Sequence, residues 1–209
     1  MKNPFRAILA FALRALARAT IQKYQPGIIG ITGSVGKTST KEAIAAVLRT
    51  IRRVRATPGN YNTEVGLPLA ILGDWRLARD KVSNGALFYL RVIVSSLWRL
   101  IFRAPYPELL VLEYAADKQG DISYLLSIAR PHIAVITAIG DIPVHVENYP
   151  SIEGVAREKA RLVEALPATG WAILNTDDGR VEAMKERTRA HITTFGFDKD
   201  AELNVANFE

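Results

Sequence analysis

The sequence predicts an α/β protein with a mostly parallel sheet and helices on both of its faces. Three observations lead to this prediction: short apolar runs recur along the chain, helical patterns separate them, and a glycine-rich turn joins the first run to a helix. Continuous apolar strands are typical of parallel sheets covered on both sides, and their alternation with helices is typical of α/β domains.

The individual elements follow from this alternation in chain order. Strands are expected at residues 28–32, 54–57, 109–113, 133–137, 171–174 and 191–195. Helices are expected at 39–52, 122–129, 152–166 and 179–188, and a further helix is expected to begin within 67–72.

A basic amphipathic helix is predicted within residues 1–26, at about 4–23. Its apolar positions are Phe5, Ile8, Leu9, Ala12, Leu13 and Leu16. Arg14 and Arg18 interrupt the apolar pattern too often for a membrane-spanning helix. Two interpretations stay open, a helix packed on the surface of the domain and a helix that contacts a membrane surface.

Residues 84–103 form a second unusual segment, which is strongly apolar and also basic. Arg91 lies inside the apolar run, so a spanning helix is not expected. The pattern fits an interfacial helix whose arginines reach the headgroups, and it also fits a helix that covers the sheet.

Composition and charge limit the classes of function. The chain has 209 residues, 49% of them hydrophobic, and no cysteine, which excludes disulfides and thiolate metal sites. Residues 1–110 carry 17 Lys and Arg against 5 Asp and Glu, a net charge of +12, whereas residues 111–209 carry 10 against 16, a net charge of −6. No zinc-finger spacing or aromatic-rich RNA signature accompanies the basic half, so a membrane surface or an anionic substrate is expected rather than nucleic acid.

The glycine-rich turn has the features of a phosphate-binding loop. Gly33 and Gly36 let the backbone approach phosphate oxygens, and the helix that follows supplies N–H donors. Lys37 adds a positive charge for the outer phosphates, and the Thr38 hydroxyl is placed to bind Mg²⁺. The strict pattern G-x-x-x-x-G-K-[ST] has a glycine where this chain has Ile31, so the loop is a variant.

Further polar residues follow the carboxyl ends of predicted strands, where the working residues of such sheets collect. They are Asn60, Asn62, Glu113, His145, Asn175 and Asp178. A single Glu or His after a strand is more often a capping or packing residue, but here several share one sheet edge with a phosphate loop. Thr38 and Glu113 suit Mg²⁺, and a neutral His145 suits a second metal position.

Several ordered segments resemble the Mur ligases, and within them the branch that adds D-alanyl-D-alanine to a UDP-muramoyl tripeptide. The segments that carry the resemblance are residues 32–42, 57–68, 111–117 with 120–122, 129–137, the loop with His145, 153–159, 175–178 and 194–197. The resemblance covers about residues 27–198.

The resemblance implies a carboxylate–amine ligase that uses ATP and Mg²⁺ and forms an acyl phosphate. It implies that the loop residues Gly33, Ser34, Val35, Gly36, Lys37, Thr38 and Ser39 bind ATP, with Asn60 and Asn62 near the phosphates or substrate and Asn175 and Asp178 near the base. It implies that Thr38 holds a first Mg²⁺ and that Glu113 and His145 hold a second. It makes Lys37, His145 and Lys159 catalytic, with Lys159 carbamylated by CO₂, although its place on a helix alone favours an exposed lysine.

The resemblance also sets expectations for domains and partners. Residues 27–200 would be the central ATP-binding domain with an apolar insertion at about 76–106, and 201–209 would lead to a C-terminal domain. The expected partners are a small-molecule or lipid-linked acid, an amino acid or dipeptide amine, and an anionic membrane surface. The expected location is the cytoplasm, with a peripheral position at the inner face of the membrane. A non-catalytic nucleotide-binding module and a peripheral membrane protein remain alternative functions.

Overall fold

A seven-stranded parallel sheet forms the centre of the molecule. The structure, a computed structural model, describes residues 4–59, 61–75, 85–102, 104–141 and 146–204, with side chains from residue 7 onward. The strands are β1 (Gly27–Thr32), β2 (Val54–Ala56), β3 (Leu109–Glu113), β4 (Ile133–Ile136), β5 (Trp171–Asn175), β6 (His191–Gly196) and β7 (Leu203–Asn204). Their order across the sheet is β2-β3-β1-β4-β5-β6-β7, with every pair parallel.

Seven α-helices connect or flank these strands within the described part of the chain. They are α1 (Pro4–Tyr24), α2 (Lys37–Arg49), α3 (Gly66–Leu72), α4 (Gly85–Ile101), α5 (Asp121–Leu126), α6 (Ile152–Glu164) and α7 (Gly179–Glu182). Short 3-10 turns occur at Val146–Asn148 and Ala183–Arg187. The helix expected over 179–188 is therefore a short α-helix that continues as a 3-10 turn.

The core lies on both faces of the sheet. On β1, Ile28 belongs to the larger apolar cluster, whereas Ile29 and Ile31 belong to a smaller cluster on the other side. This division follows from the alternation of side chains along a strand. Residues of α2, including Ala45, cover the smaller cluster, and the other helices contribute to the larger one together with strand and loop residues. The predicted fold class, a mostly parallel sheet with helices on both faces, is confirmed.

Helix α1 packs on the domain itself. Leu13 and Ala17 are completely buried, and the helix lies against α3 and α4. The helix is therefore packed on the surface of the domain, with Ile8 and Phe11 exposed, and its contact with a membrane stays a prediction. No helix in the described ranges is long and apolar enough to cross a membrane.

The sheet extends into the segment that was expected to be a linker. Leu203 and Asn204 pair with Phe195 and Gly196 of β6, which adds a short edge strand after residue 200. The assignment of 201–209 as a connection to a further domain stays a prediction, and residues 205–209 lie outside the described part of the chain.

Candidate nucleotide site

The phosphate-binding loop connects the end of β1 to the start of α2. Gly33 has a φ of +154° and Gly36 a φ of +80°, values that favour glycine. A Cβ atom on Gly33 would also collide with the Oγ1 atom of Thr137. The loop is tied to the end of β4, because Thr137 Oγ1 donates to Val35 O at 2.6 Å and Ser34 N donates to Ala138 O at 2.6 Å.

The loop has donors that suit a phosphate group. Among the described residues, no side chain caps the N-terminus of α2, so its first N–H groups point out of the helix toward the loop. The Ser34 hydroxyl is buried and has no hydrogen-bond partner in the described part of the chain. Oriented N–H groups at a helix start together with a buried, unpaired hydroxyl form a favourable anion site.

Lys37 begins α2 and folds back over the loop. Its Nζ atom donates to the carbonyl oxygens of Gly33 at 2.8 Å and Ser34 at 3.0 Å. Burial lowers the pKa of Lys37, and the Glu113 and Asp117 carboxylates offset part of that effect. The Lys37 ammonium group therefore lies close to the position of a phosphate in such a loop, and two backbone carbonyl oxygens accept its hydrogen bonds.

Glu113 ends β3 beside the loop, since β3 is the neighbour of β1 and Glu113 is in register with Ile31. It is almost completely buried. Its Oε2 atom accepts from Thr38 Oγ1 at 3.2 Å and lies 3.4 Å from Lys41 Nζ, and its Oε1 atom accepts from Asn62 Nδ2 at 3.0 Å. One carboxylate thus joins the loop, helix α2 and the segment after β2.

Lys159 lies on the buried face of α6, so the expectation of an exposed lysine is wrong. It is 3% exposed, and its Nζ atom donates to Gly33 O at 3.0 Å. Burial, followed by the nearby charge of Lys37, lowers the pKa of Lys159 to about 8. The neighbouring Glu158 is also buried and accepts from Ile122 N at 2.9 Å, which fixes this turn of the helix against α5.

A cavity of about 320 Å³ joins these groups. Its lining contains nine of the predicted residues, namely Gly33, Ser34, Gly36, Lys37, Thr38, Ser39, Asn62, Glu113 and Lys159. Thr63, Ala115, Ala116 and Asp117 complete the lining. The predicted groups from β1, α2, β3 and α6 therefore meet in one cavity at the carboxyl edge of the sheet.

Three predicted residues lie outside this lining. Val35 is exposed on the outer side of the loop. Asn175 ends β5 and accepts from Asp177 N at 2.9 Å. Asp178 accepts four backbone N–H groups, from Ile139, Gly140, Arg180 and Val181, at 2.7–3.3 Å. Burial raises the pKa of Asp178, but these four bonds outweigh it and hold that pKa below the ordinary value.

Asn60 and His145 lie outside the described residues. Their predicted roles, at the phosphates and at a second metal position, stay predictions. Within the described ranges, no three His, Asp or Glu side chains come together as a metal-binding group.

Lys41 is the main site residue that the sequence interpretation did not single out. It is completely buried, and its neighbours are Glu113 and Glu42. A signal exists in the helix period, because Thr38, Lys41 and Ala45 are spaced by three and four residues and share one face of α2. Asp117 also lines the cavity and was not singled out, although its position four residues after Glu113 places it in the loop that follows β3.

A comparison with known families identifies the region that contains this site. Residues 31–76 and 97–209 match the model of the Mur ligase middle domain. The match includes the phosphate loop from Ile31 onward, Glu113 and Lys159, and it omits α1 and residues 77–96.

The curated relatives of this chain described below are ligases that share one name. The chain is 36% identical over 200 residues to the UDP-N-acetylmuramoyl-tripeptide–D-alanyl-D-alanine ligase of Mycobacterium tuberculosis, an alignment that covers 94% of this chain and 33% of that protein. It is 34% identical over 167 residues to the ligase of the same name from Bacillus subtilis, covering 80% of this chain and 30% of that protein. The chain spans about a third of the length of these relatives.

Solved structures agree with the sequence relatives. MurF ligase from Thermotoga maritima in complex with ADP has a TM-score of 0.70 at 31% identity, covering 90% of this chain and 37% of that one. MurF from Acinetobacter baumannii has a TM-score of 0.68 at 26% identity, covering 90% and 35%. The shared architecture therefore includes nearly all of the chain described above.

Proposed function

Because this chain belongs to the Mur ligase middle-domain family, we propose that its cavity binds ATP and serves an amide-forming ligation that passes through an acyl phosphate. The observation that supports this proposal most strongly is the meeting of Lys37, Thr38, Glu113 and Lys159 in one cavity at the carboxyl edge of the sheet. A phosphate loop alone serves many reactions, whereas a buried carboxylate and a second buried lysine beside it suit a site that controls charge during phosphoryl transfer.

In this proposal the loop holds the phosphates of ATP. The N–H groups at the start of α2 and the unpaired Ser34 hydroxyl donate to phosphate oxygens, and Gly33 and Gly36 permit the close approach. Lys37 exchanges its two carbonyl acceptors for the outer phosphates. The ADP in the Thermotoga maritima neighbour supports a nucleotide as the ligand of this fold.

The oxygen ligands beside the loop fit Mg²⁺. Thr38 Oγ1 and Glu113 Oε2 are 3.2 Å apart, and both are hard oxygen donors at the position where the outer phosphates would lie. Bound there, Mg²⁺ would neutralise charge on the phosphates and on the transferring group. His145 is proposed as a ligand of a second ion with Glu113.

Lys159 is proposed as the residue that CO₂ converts to a carbamate. The neutral amine is the form that reacts: its nitrogen forms a bond to the carbon of CO₂ and a proton is released, which leaves an anionic carbamate. A pKa of about 8 makes this form accessible near neutral pH. The new anion would be favourable beside Lys37 and the proposed metal positions.

The reaction then divides into two displacements. An oxygen of the substrate carboxylate attacks the γ-phosphorus of ATP, and the bond between that phosphorus and ADP breaks. The amine substrate next attacks the carbonyl carbon of the acyl phosphate, the C–N bond forms, the C–O bond to phosphate breaks, and the amine loses a proton. Lys37 balances the negative charge that develops on the transferring phosphoryl group.

The substrates are proposed from the names of the relatives. A UDP-N-acetylmuramoyl tripeptide would supply the carboxylate and D-alanyl-D-alanine the amine. A lipid-linked acid is the alternative carboxylate, because this chain has two basic apolar helices. We propose a cytoplasmic location, where such nucleotide-linked precursors and ATP are available together.

Release of ADP tests the proposal. The protein is incubated with Mg²⁺ and ATP, in one mixture with the proposed acid substrate alone and in another with the acid and the amine substrate together. Hydroxylamine is added to trap an acyl phosphate as a hydroxamate. We expect ADP only with the acid present, and amide only with both. The same assay on a longer chain that contains this one distinguishes an incomplete domain from a non-catalytic module. No ADP from the longer chain with either acid would overturn the ligase proposal.

A further inference from the structure

Helix α4 turns a row of large apolar side chains toward solvent. The members of this apolar stripe are Leu87, Leu90, Val94, Leu97, Trp98 and Ile101. They recur at intervals of three and four residues, so they share one side of the helix. Their side chains are between 45% and 72% exposed, and Phe102 continues the row directly after the helix. A soluble surface rarely places so many apolar residues in continuous contact with water.

The orientation of α4 is fixed by contacts on its other side. Phe88, Val92 and Ser96 are buried against the domain. At its C-terminal end, Lys23 Nζ donates to Leu100 O at 2.8 Å, and Arg99 Nη1 donates to Leu72 O at 2.7 Å. The helix therefore cannot turn the apolar stripe inward without losing these bonds and uncovering its packed face.

All the charged residues of α1 and α4, the two helices that form this part of the surface, are cationic. Their charged residues are Arg6, Arg14, Arg18 and Lys23 of α1 and Arg91 and Arg99 of α4. Neither helix contains Asp or Glu. A second copy docked through the stripe would bring two cationic Arg91 side chains into one interface, whereas an anionic surface would be complementary to Arg91 and to the exposed Arg18 of α1.

We propose that the apolar stripe docks α4 on the interfacial region of an anionic lipid bilayer. The stripe would enter the boundary between headgroups and acyl chains, and the exposed Arg91 and Arg18 would contact the headgroups. The proposal is independent of the ligase reaction, since α4 does not line the nucleotide cavity.

Flotation with lipid vesicles tests the proposal. The full chain is mixed at low salt with vesicles of phosphatidylcholine and 30% phosphatidylglycerol, and in parallel with vesicles of phosphatidylcholine alone. We expect flotation with the anionic vesicles and at least about tenfold weaker binding to the neutral ones. Failure to float with the anionic vesicles overturns the proposal.

Two matched double variants distinguish the contribution of the stripe to vesicle binding from the contribution of other exposed apolar residues. Leu90→Ser with Trp98→Ser removes two stripe residues, and Phe197→Ser with Leu203→Ser removes one exposed aromatic residue and one exposed leucine elsewhere. We expect the first pair to weaken vesicle binding at least about tenfold and the second pair to leave it unchanged. Equal loss in both pairs overturns the proposal.

A charge variant tests the same surface without removing apolar area. Arg91→Glu keeps the stripe and reverses an exposed charge beside it. We expect about tenfold weaker binding to anionic vesicles, with unchanged thermal unfolding. Sedimentation velocity decides the remaining alternative: a dimer that Leu90→Ser with Trp98→Ser dissociates, without vesicle binding by the original chain, would assign the stripe to self-association instead.

Discussion

The ammonium group of Lys41 lies 3.4 Å from the Oε2 atom of Glu113, and both side chains are withdrawn from water. The pair places a lysine side chain next to the carboxylate that we propose as a metal ligand. Lys41 does not line the cavity, so it contacts Glu113 from the side that faces away from the cavity. We interpret it as a positioning residue that holds the carboxylate toward the loop.

Replacement of Lys41 by methionine should therefore destabilise the fold. It leaves a buried carboxylate without its cation, and we expect the free energy of unfolding to fall by about 3–5 kcal/mol. Urea unfolding measures the change. Glu42→Gln is the matched control, because Glu42 lies 3.6 Å from the same ammonium but is exposed, and we expect an effect within about 0.5 kcal/mol.

The double variant Lys41→Met with Glu113→Gln distinguishes charge from packing. Removing the carboxylate charge should restore much of the stability lost in Lys41→Met, because no unpaired charge then remains buried. If the double variant is less stable than Lys41→Met by the full effect of Glu113→Gln alone, the two residues are not coupled and our interpretation of Lys41 is wrong.

Lys159 should give the stability of the protein a specific dependence on pH. Its pKa is about 8 in the folded state, against an ordinary value of 10.5. Between these values the unfolded chain binds more protons than the folded one, so stability rises with pH across this window, by on the order of 3 kcal/mol. Below pH 8 both states are protonated and the full penalty of the buried charge remains.

The matched measurement uses Lys159→Met in buffer free of CO₂. The difference in unfolding free energy between the two proteins should change with pH from 8 to 10.5 and stay constant from pH 6 to 7.5. A difference that is the same at all these pH values would show that Lys159 titrates normally and would contradict its burial beside Lys37.

Gly33→Ala should destabilise the loop through two separate effects. The residue has a positive φ, and its new Cβ would collide with Thr137 Oγ1. We expect a loss of about 2–4 kcal/mol in unfolding free energy, together with loss of nucleotide binding. Gly59→Ala is the control, because Gly59 has a φ of +45° and nothing near a new Cβ, so only the backbone effect of about 1–2 kcal/mol is expected. Equal losses would exclude the collision with Thr137.

Asp178 should matter for stability through its four backbone bonds. Asp178→Ala removes the cap of α7 and releases Ile139 and Gly140, and we expect a loss of about 2–3 kcal/mol. Asp178→Asn retains one oxygen acceptor and should lose about half as much. Thermal unfolding of the three proteins measures the order. A loss in Asp178→Ala below about 0.5 kcal/mol would contradict this structural role.

The sequence predicted the fold because its elements repeat a local pattern. Apolar runs and helical spacing are properties of neighbouring residues, and they located all the strands except β7, whose two residues are too short to produce a pattern. The phosphate loop could be predicted for the same reason, since its glycine turn, Lys37 and Thr38 are neighbours along the chain.

The arrangement inside the site could not be obtained in the same way. Glu113 and Lys41 are 72 positions apart, and their contact depends on β1 and β3 becoming neighbours. A lysine on a helix is exposed in most proteins, so burial of Lys159 follows only from the packing of α6 beside the loop. Asp178 was interpreted from its family motif. Two of its four backbone bonds are local to the start of α7, and the two from Ile139 and Gly140 appear only once the segment after β4 lies beside α7.

Binding of Mg²⁺-ATP by this chain tests the central claim most directly. Isothermal titration compares the original chain with Lys37→Ala, and with Lys185→Ala as a control that removes an exposed lysine far along the chain. We expect the original chain and Lys185→Ala to bind equally, and Lys37→Ala to bind about 10- to 100-fold more weakly, because a charged hydrogen-bond donor to the phosphates is lost. Equal affinity of the original chain and Lys37→Ala would contradict the assignment of this cavity as the ATP site.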